Sequence, residues 1–364
     1  MYVKRYFIAF WLTACLLIAP GLFSGSAASQ QPDTRPPAAM PSPTPPIEEE
    51  KEVVKVETES VNVLFTAQDK NRRLLLDLKP EQVRIFENGK LQEISSFSKQ
   101  VDLPLSLAIL IDTSLSQERT LPEKKAAAMS FLESVVRPKK DEVSIVSFTG
   151  ESTLEQGMTN NMMHLRRAVD RVVFVPPSNY IGGGVVTNGG SVPGTPPISG
   201  DNQRTAASTA LWDAIWVTSD EVLGRSPDKT RRAIILLSDG DDTYSRKKLD
   251  EAVQSALKAE AIIYSIGIGD NYQYRVNESA LKKLSENTGG RAYFPRDEGE
   301  LREAFKQIQV EMRSQYLVSY EPTDQTLDGS YRKIEIVLAD PEMQKQKIKL
   351  THRLGYFART AGKK

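Results

Sequence analysis

Oxygen-bearing side chains are concentrated in three short segments of the sequence. Residues 112–116 read Asp-Thr-Ser-Leu-Ser, residues 238–242 read Ser-Asp-Gly-Asp-Asp, and Thr209 follows Ser208 at the start of a helix-like stretch. Hydroxyl and carboxylate oxygens are the ligands of hard divalent cations such as Mg²⁺, which takes about six of them and keeps several waters. The three segments therefore predict a cation site, provided that the fold brings them together.

The composition leaves room for few other kinds of chemistry. The chain has 364 residues with one cysteine, Cys15, and two histidines, His164 and His352. These numbers exclude an internal disulfide and a multi-histidine zinc site, and we interpret both histidines as structural or surface residues. The 47 basic and 47 acidic residues balance, whereas a nucleic-acid-binding protein normally has a basic excess, so no nucleic-acid partner is expected.

The oxygen-rich segments lie in a region of alternating strands and helices. Short apolar runs span 105–111, 142–148, 233–237 and 261–268, with a weaker one at 292–294. The predicted helices between them span 121–136, 160–172, 208–223, 246–259, 277–287 and 297–312. This alternation predicts an α/β fold with a doubly wound, mostly parallel sheet that helices cover on both faces. Ligand sites of such sheets lie at the carboxyl ends of the strands, where the oxygen-rich segments at 112–116 and 238–242 fall.

Strand patterns flank this α/β unit on both sides. Residues 53–101 alternate between polar and apolar types around a hairpin signal at Asn88-Gly89. Residues 314–357 return to strand patterns after the α/β domain, which we assign to residues 102–313. We predict that the two flanking segments pair into one small β sandwich with the α/β domain inserted between them.

The first residues are typical of an export signal. Lys4 and Arg5 precede an apolar run that is shorter than the ~20 residues needed to span a bilayer, and small residues up to Ala28 follow. We predict a signal peptide at residues 1–28 and a location in the periplasm, at the cell surface or in the medium. Two alternatives stay open, namely lipidation at Cys15 within a lipobox-like sequence and an uncleaved N-terminal membrane anchor.

Three further segments are predicted to lack regular structure. Residues 29–52 are rich in proline and then acidic, which is typical of an extended linker. Residues 176–206 are rich in glycine and proline and lead into Thr209, so this loop either selects partners beside the cation site or is a disordered insertion. Residues 358–364 are expected to form a tail.

The three oxygen-rich segments resemble the metal-ion-dependent adhesion site of von Willebrand factor type A (VWA) domains. That site combines a DxSxS string, a distant threonine and a strand-terminal Asp-Gly, and the resemblance covers about residues 103–313. The flanking pieces, Phe86-Glu87-Asn88-Gly89-Lys90 and Arg353-Leu354-Gly355-Tyr356, look like an exported family of VWA-related proteins typical of Acidobacteria. The resemblance therefore implies a Rossmann-like VWA domain in an exported bacterial protein.

The resemblance also implies a ligand set of Asp112, Ser114, Ser116, Thr209 and Asp239. The serine hydroxyls would bind the cation directly, the threonine directly or through water, and the two carboxylates through coordinated waters. The implied cation is Mg²⁺, with Mn²⁺ or Ca²⁺ as substitutes, and an open position would accept an Asp or Glu carboxylate from a protein partner. One departure is Ser208, where many relatives have glycine.

The function expected from this resemblance is a non-enzymatic, metal-dependent protein-binding or adhesion protein. Two other functional hypotheses stay open, namely a metal-assisted hydrolase and a structural module of the cell envelope whose site is vestigial. Asp241 and Asp242 either add charge to the site or cap the following turn and helix, and we favour capping.

Overall fold

The computed structural model has, within the residues that it describes, a central sheet of six strands. The structure describes residues 60–99, 103–174, 208–227, 230–269 and 276–360, so the predicted signal peptide, the linker and the glycine-rich loop at 176–206 lie outside the described residues. The strands are β1 (Val61–Gln68), β2 (Val83–Glu87), β3 (Lys90–Gln92), β4 (Ile94–Lys99), β5 (Leu105–Asp112), β6 (Glu142–Phe148), β7 (Ser152–Thr159), β8 (Arg231–Ser238), β9 (Ala261–Gly267), β10 (Ala292–Tyr293), β11 (Tyr316–Tyr320), β12 (Tyr331–Leu338), β13 (Lys349–His352) and β14 (Gly355–Phe357).

Helices cover both faces of this sheet. The helices are α1 (Leu121–Val135), α2 (Met162–Arg171), α3 (Leu211–Val217), α4 (Leu249–Lys258), α5 (Glu278–Thr288), α6 (Glu298–Arg313) and α7 (Pro341–Lys345). Helices α1, α2 and α6 bury their apolar sides in one core, and α3, α4 and α5 share a second core on the opposite face. None of the helices within the described ranges has the length and apolar character needed to cross a membrane. The central sheet with helices on both faces confirms the predicted α/β class.

The chain reverses its direction of travel across the sheet at β5. It runs outward from β5 to β6 and β7, and then returns to the other side of β5 to form β8, β9 and β10. β5 and β8 are buried along their whole length, which explains their continuous apolar sequences. The carboxyl ends of β5 and β8 therefore form the topological switch point where ligand sites of doubly wound sheets lie.

One strand of the central sheet does not follow the predicted pattern. β7 is antiparallel to β6 and forms the edge of the sheet, and none of its residues is fully buried. The sequence of β7 lacks a continuous apolar run because its side chains are exposed or only partly buried. The sequence of β7 therefore does not show the pattern of a buried parallel strand, and no strand was predicted there.

The flanking segments form two antiparallel sheets that share a core. One sheet has the order β13-β1-β11-β4 and the other has the order β14-β12-β2-β3. Each sheet contains strands from both sides of the α/β unit, as the predicted pairing of the two segments requires. Asn88 and Gly89 adopt positive φ angles of 48° and 80° at the hairpin between β2 and β3, as their sequence indicated.

A buried ion pair lies within this sandwich. The side chains of Glu87 and Arg332 are each 2% exposed, and Arg332 Nη1 lies 3.4 Å from Glu87 Oε1. The hydroxyls of Tyr320 and Tyr356 donate to Glu87 Oε2 at 2.8 and 2.9 Å. Glu87 on β2 therefore holds together groups from β11, β12 and β14.

We expect Glu87→Ala to lower the free energy of unfolding by about 3–5 kcal/mol, because it leaves a buried guanidinium and two hydroxyls without their acceptor. Urea denaturation measures this loss. Glu335→Ala on the exposed face of β12 is the matched control and should cost less than about 0.5 kcal/mol. Equal losses in the two variants would contradict a structural role for the buried pair.

His352 connects the two sheets of the sandwich in its neutral form. Its Nε2 accepts the backbone N–H of Ile336 at 3.2 Å, and its Nδ1 lies 2.7 Å from the carbonyl of Arg353. Burial lowers the pKa of this imidazole below its ordinary value. The folded protein therefore resists protonation that the unfolded chain accepts.

Stability should fall as the pH drops below about 6.5, where the unfolded histidine begins to bind its proton. We expect the melting temperature to decrease from pH 7.5 to pH 5.5, and this decrease should be smaller in His352→Asn. His164→Asn is the control, because His164 is exposed on α2. A pH dependence that is identical in the wild type and His352→Asn would contradict this assignment.

Candidate functional site

The candidate site lies at the switch point between β5 and β8. These strands pair in parallel up to Ile111 and Leu237, so Asp112 and Ser238, the next residue of each strand, end the two strands side by side. Asp239 follows β8 directly. The register of the sheet therefore brings together two segments that are more than a hundred residues apart in the sequence.

The first oxygen-rich segment turns back over this edge of the sheet. Ser114 Oγ lies 3.2 Å from Ser116 Oγ, and the Ser116 hydroxyl donates to Asp239 Oδ2 at 2.6 Å. Ser114 is buried and Ser116 is half-buried. Three of the five predicted ligands thus form one continuous cluster of oxygens.

Asp112 lies behind this cluster. One of its carboxylate oxygens accepts the backbone N–H of Ser114 at 3.0 Å, and the other accepts the hydroxyl of Ser238 at 2.6 Å. The side chain has no solvent exposure. Asp112 therefore fixes the turn that carries Ser114 and adds negative charge from beneath the surface.

Thr209 is held at the same edge by backbone contacts on both sides. Its N–H donates to Thr243 Oγ1 at 2.9 Å, and its carbonyl accepts the N–H groups of Thr243 and Tyr244 at 2.9 and 3.0 Å. The next residue, Ala210, donates its N–H to the carbonyl of Thr149 after β6. Thr209 is thus brought next to the loop that begins at Asp239, and its role as a ligand stays a prediction.

The donor set of the cluster fits a hard divalent cation. Adjacent oxygens around an octahedral Mg²⁺ at about 2.1 Å lie about 3.0 Å apart, which the spacings of 3.2 and 2.6 Å around Ser116 bracket. No group of three or more His, Cys, Asp or Glu side chains suited to a metal occurs in the part of the chain that the structure describes. Hydroxyl groups would therefore have to supply part of the coordination.

Two residues that the sequence reasoning missed complete the cluster from below. The Gln117 amide donates to Ser116 Oγ at 2.9 Å and to Asp239 Oδ2 at 2.5 Å. The Lys124 ammonium, on α1, donates to Gln117 Oε1 at 2.5 Å and lies 3.4 Å from the carbonyl oxygen of Asp112. Neither side chain is exposed. Gln117 and Lys124 therefore orient Ser116 and Asp239.

Burial and neighbouring charges have opposing effects on the pKa values of Asp112 and Lys124. Burial raises the pKa of Asp112, while the Lys124 ammonium opposes this rise and the Asp239 carboxylate adds to it. Burial lowers the pKa of Lys124 to about 8, against the attraction of Asp112 and Asp239. With both carboxylates and the ammonium ionised, the cluster has one net negative charge, which would attract a cation.

The two aspartates that follow Gly240 have different roles. Asp242 Oδ1 accepts the backbone N–H of Leu211 at 2.8 Å, so it caps α3, which precedes it in the sequence. Asp241 is exposed, and its pKa is raised by partial burial and by the Asp239 charge. Asp242 therefore caps a helix, but this helix precedes it and is not the following one that was expected, whereas Asp241 lies exposed beside the cluster.

Part of the α/β unit matches a known protein family. Residues 198–307 match the family model of the von Willebrand factor type A domain. A search of curated proteins found no match.

The solved structures that this chain is similar to have low sequence identity to it. Proximal thread matrix protein 1 from the mussel byssus, with a zinc-occupied MIDAS motif, is 14% identical with a TM-score of 0.41, and the match covers 59% of this chain and 49% of that chain. BatB from Bacteroides thetaiotaomicron is 14% identical with a TM-score of 0.40, over 58% of this chain and 100% of that chain. A von Willebrand factor type A protein from Catenulispora acidiphila is 13% identical with a TM-score of 0.43, over 84% and 75%. The chain thus spans about half the length of the byssus protein.

Replacing Lys124 should strengthen cation binding while it weakens the metal-free fold. Lys124→Met removes a buried positive charge next to the cluster, so we expect the affinity for Mg²⁺ to rise at least about tenfold, since nearby buried charges interact strongly. The metal-free protein should lose about 1–3 kcal/mol of unfolding free energy, because Gln117 loses its donor. Titration calorimetry and urea denaturation measure the two effects.

Lys125→Met is the matched control for this experiment. Lys125 follows Lys124 on α1, but its ammonium donates to the carbonyls of Asp170 and Val172, outside the cluster. We expect this variant to bind Mg²⁺ as the wild type does. Unchanged or weaker Mg²⁺ binding by Lys124→Met would contradict the view that the buried ammonium opposes the cation.

Proposed function

We propose that this chain, which contains a von Willebrand factor type A domain, uses that domain to bind a protein partner through a divalent cation. The observation that carries the proposal is the convergence of Ser114, Ser116 and Asp239 within 3.2 Å at the switch point of the sheet. Mg²⁺ is the cation that a cluster of hydroxyls and carboxylates with room for waters suits best.

The roles of the cluster residues follow from their positions. The hydroxyls of Ser114 and Ser116 lie 3.2 Å apart and would hold the cation directly. Asp112 is fully buried behind them, so its carboxylate would act through hydrogen bonds and charge. Asp239 and Thr209 would complete the site from the two neighbouring loops.

The charge balance favours an acidic partner. In their ionised forms, Asp112, Asp239 and Lys124 would together contribute one net negative charge, which a divalent cation would convert into one net positive charge. A carboxylate on a partner would then meet a positive site that keeps an open coordination position. We therefore propose an Asp or Glu side chain as the group that the site recognises.

The proposed role is non-enzymatic and outside the cytoplasm. Asp112 and Asp239 each accept hydrogen bonds from neighbouring groups, which leaves neither of them placed as a general base. His352 is engaged within the sandwich, and His164 is exposed on α2. The export-signal pattern at residues 1–28 supports an extracytoplasmic location.

Removing an oxygen-bearing side chain of the site should weaken cation binding without unfolding the protein. We expect Ser116→Ala and Asp112→Ala to bind Mg²⁺ and Mn²⁺ at least about tenfold more weakly, which corresponds to the loss of about 1.4 kcal/mol. Ser134→Ala on α1 is the control, because its hydroxyl donates to the carbonyl of Phe131 outside the cluster. Titration calorimetry with circular dichroism on each variant measures the change, and unchanged affinity in Ser116→Ala would refute the site.

Partner recognition should depend on both the cation and a carboxylate. Immobilised peptides that contain Asp or Glu are to be compared with matched peptides that contain Asn or Gln. We expect binding to the acidic set in Mg²⁺, and its loss with a chelator or in Ser116→Ala. Binding that survives the chelator would favour a structural module with a vestigial site, and Mg²⁺-dependent turnover of phosphate or carboxylate esters would favour a hydrolase.

A further inference from the structure

A cavity lies at the end of the central sheet opposite to the cation cluster. It has a volume of about 260 Å³ and is bounded by the start of β8, the start of β9 and strands β1 and β11 of the sandwich. β8 runs for eight residues from Arg231 in this cavity to Ser238 in the cluster, which separates the two sites by about 23 Å at about 3.3 Å per residue.

Three arginines contribute to the lining of the cavity. Arg231, Arg232 and Arg353 line it, and each is less than one-tenth exposed. Glu260 contributes the single acidic side chain among the described residues of the lining. Burying cationic groups is costly unless an anion compensates them, and an Arg guanidinium pairs especially well with a carboxylate.

Two of these arginines share that one glutamate. Arg353 Nη1 donates to Glu260 Oε1 at 3.3 Å, and Arg232 Nη1 lies 3.9 Å from Glu260 Oε2. The side chain of Glu260 is itself 53% exposed, and its backbone has a positive φ of 53°. A non-glycine residue in this conformation is strained, and such strain is concentrated at functional sites.

Arg353 retains a donor that no described group uses. Its Nη2 donates to the carbonyl of Asn62 at 2.8 Å, but its Nε has no hydrogen-bond acceptor among the described residues. Gly289, at the end of α5, makes close packing possible here, since a Cβ on it would lie 2.5 Å from the backbone nitrogen of Arg353. The position of Arg353 is thus fixed by contacts from both the sandwich and the α/β domain.

The lining of the cavity also has an apolar part. Leu64 and Leu317 from the sandwich and Leu257 and Ile262 from the α/β domain contribute aliphatic surface. A cavity of about 150 Å³ accommodates the six carbons of benzene, so this volume suits a molecule of about ten non-hydrogen atoms. A ligand that matches the cavity therefore has a carboxylate at one end and a short aliphatic chain at the other.

We propose that this cavity binds a small amphiphilic monocarboxylate, with its carboxylate on Arg353 and Arg232 and its chain against Leu64 and Leu317. This site is independent of the cation cluster, because the two lie at opposite ends of the sheet. The bound molecule contacts both the sandwich and the α/β domain, so it raises the melting temperature of the whole unit.

Octanoate, which has ten non-hydrogen atoms, is the probe. Titration calorimetry and thermal melting are run on the full chain in the presence of a chelator, with acetate and octan-1-ol at equal concentration for comparison. We expect octanoate to bind and to raise the melting temperature, and both effects to be absent with acetate, which lacks the chain, and with octan-1-ol, which lacks the charge.

Three variants locate the bound molecule. Arg353→Gln removes the guanidinium and should weaken octanoate binding at least about tenfold, as the loss of a charge-assisted pair implies. Leu64→Phe narrows the apolar side, keeps the protein folded because Leu64 is only half-buried, and should also weaken binding. Arg302→Gln, on the exposed side of α6, should bind as the wild type does.

Several results would overturn the proposal. Absence of octanoate binding would show that the arginines only join the two parts of the chain. Equal binding of octanoate and octan-1-ol would exclude recognition of the carboxylate. Octanoate binding that is unchanged in Leu64→Phe would place the molecule elsewhere, and this variant decides the question even if Arg353→Gln fails to fold.

Discussion

The carboxylates of Asp112 and Asp239 lie next to each other at the ends of two adjacent parallel strands, and almost no solvent reaches them. The register between β5 and β8 fixes this arrangement, and two like charges in a buried place require compensation. Hydroxyls, a backbone N–H, the Gln117 amide and the Lys124 ammonium supply part of it. The remaining negative charge attracts a divalent cation, and this constraint explains the composition of the site.

The rest of the chain provides a rigid support for this edge of the sheet. Cores on both faces of the central sheet hold β5 and β8 in place, and α1 brings Lys124 beneath the cluster. The sandwich is formed by segments from both sides of the α/β domain, so both ends of that domain are anchored in one body. The proposed cation site and the basic cavity lie at opposite ends of the same strands, so the two proposed ligands would share no residues.

Local patterns predicted much of this structure, and long-range contacts account for what they missed. The apolar runs that became β5, β6, β8 and β9 are contiguous, and the oxygen-rich segments at 112–116 and 238–242 follow two of them directly. Lys124 was missed because it reads as one of two adjacent lysines on an amphipathic helix, and only the packing of α1 shows that it is buried. Asp242 caps a helix that precedes it by about thirty residues in the chain. Arg232 and Arg353 are far apart in the sequence, and only folding brings both of them to Glu260.

Anomalous scattering from crystals soaked in Mn²⁺ tests the central claim most directly, because it locates the metal without reference to any activity. The account predicts one strong Mn²⁺ peak within bonding distance of Ser114 Oγ and Ser116 Oγ, and its disappearance in crystals of Ser116→Ala. A map of the wild type without a peak between these hydroxyls and Asp239, or with Mn²⁺ bound only elsewhere, would contradict it.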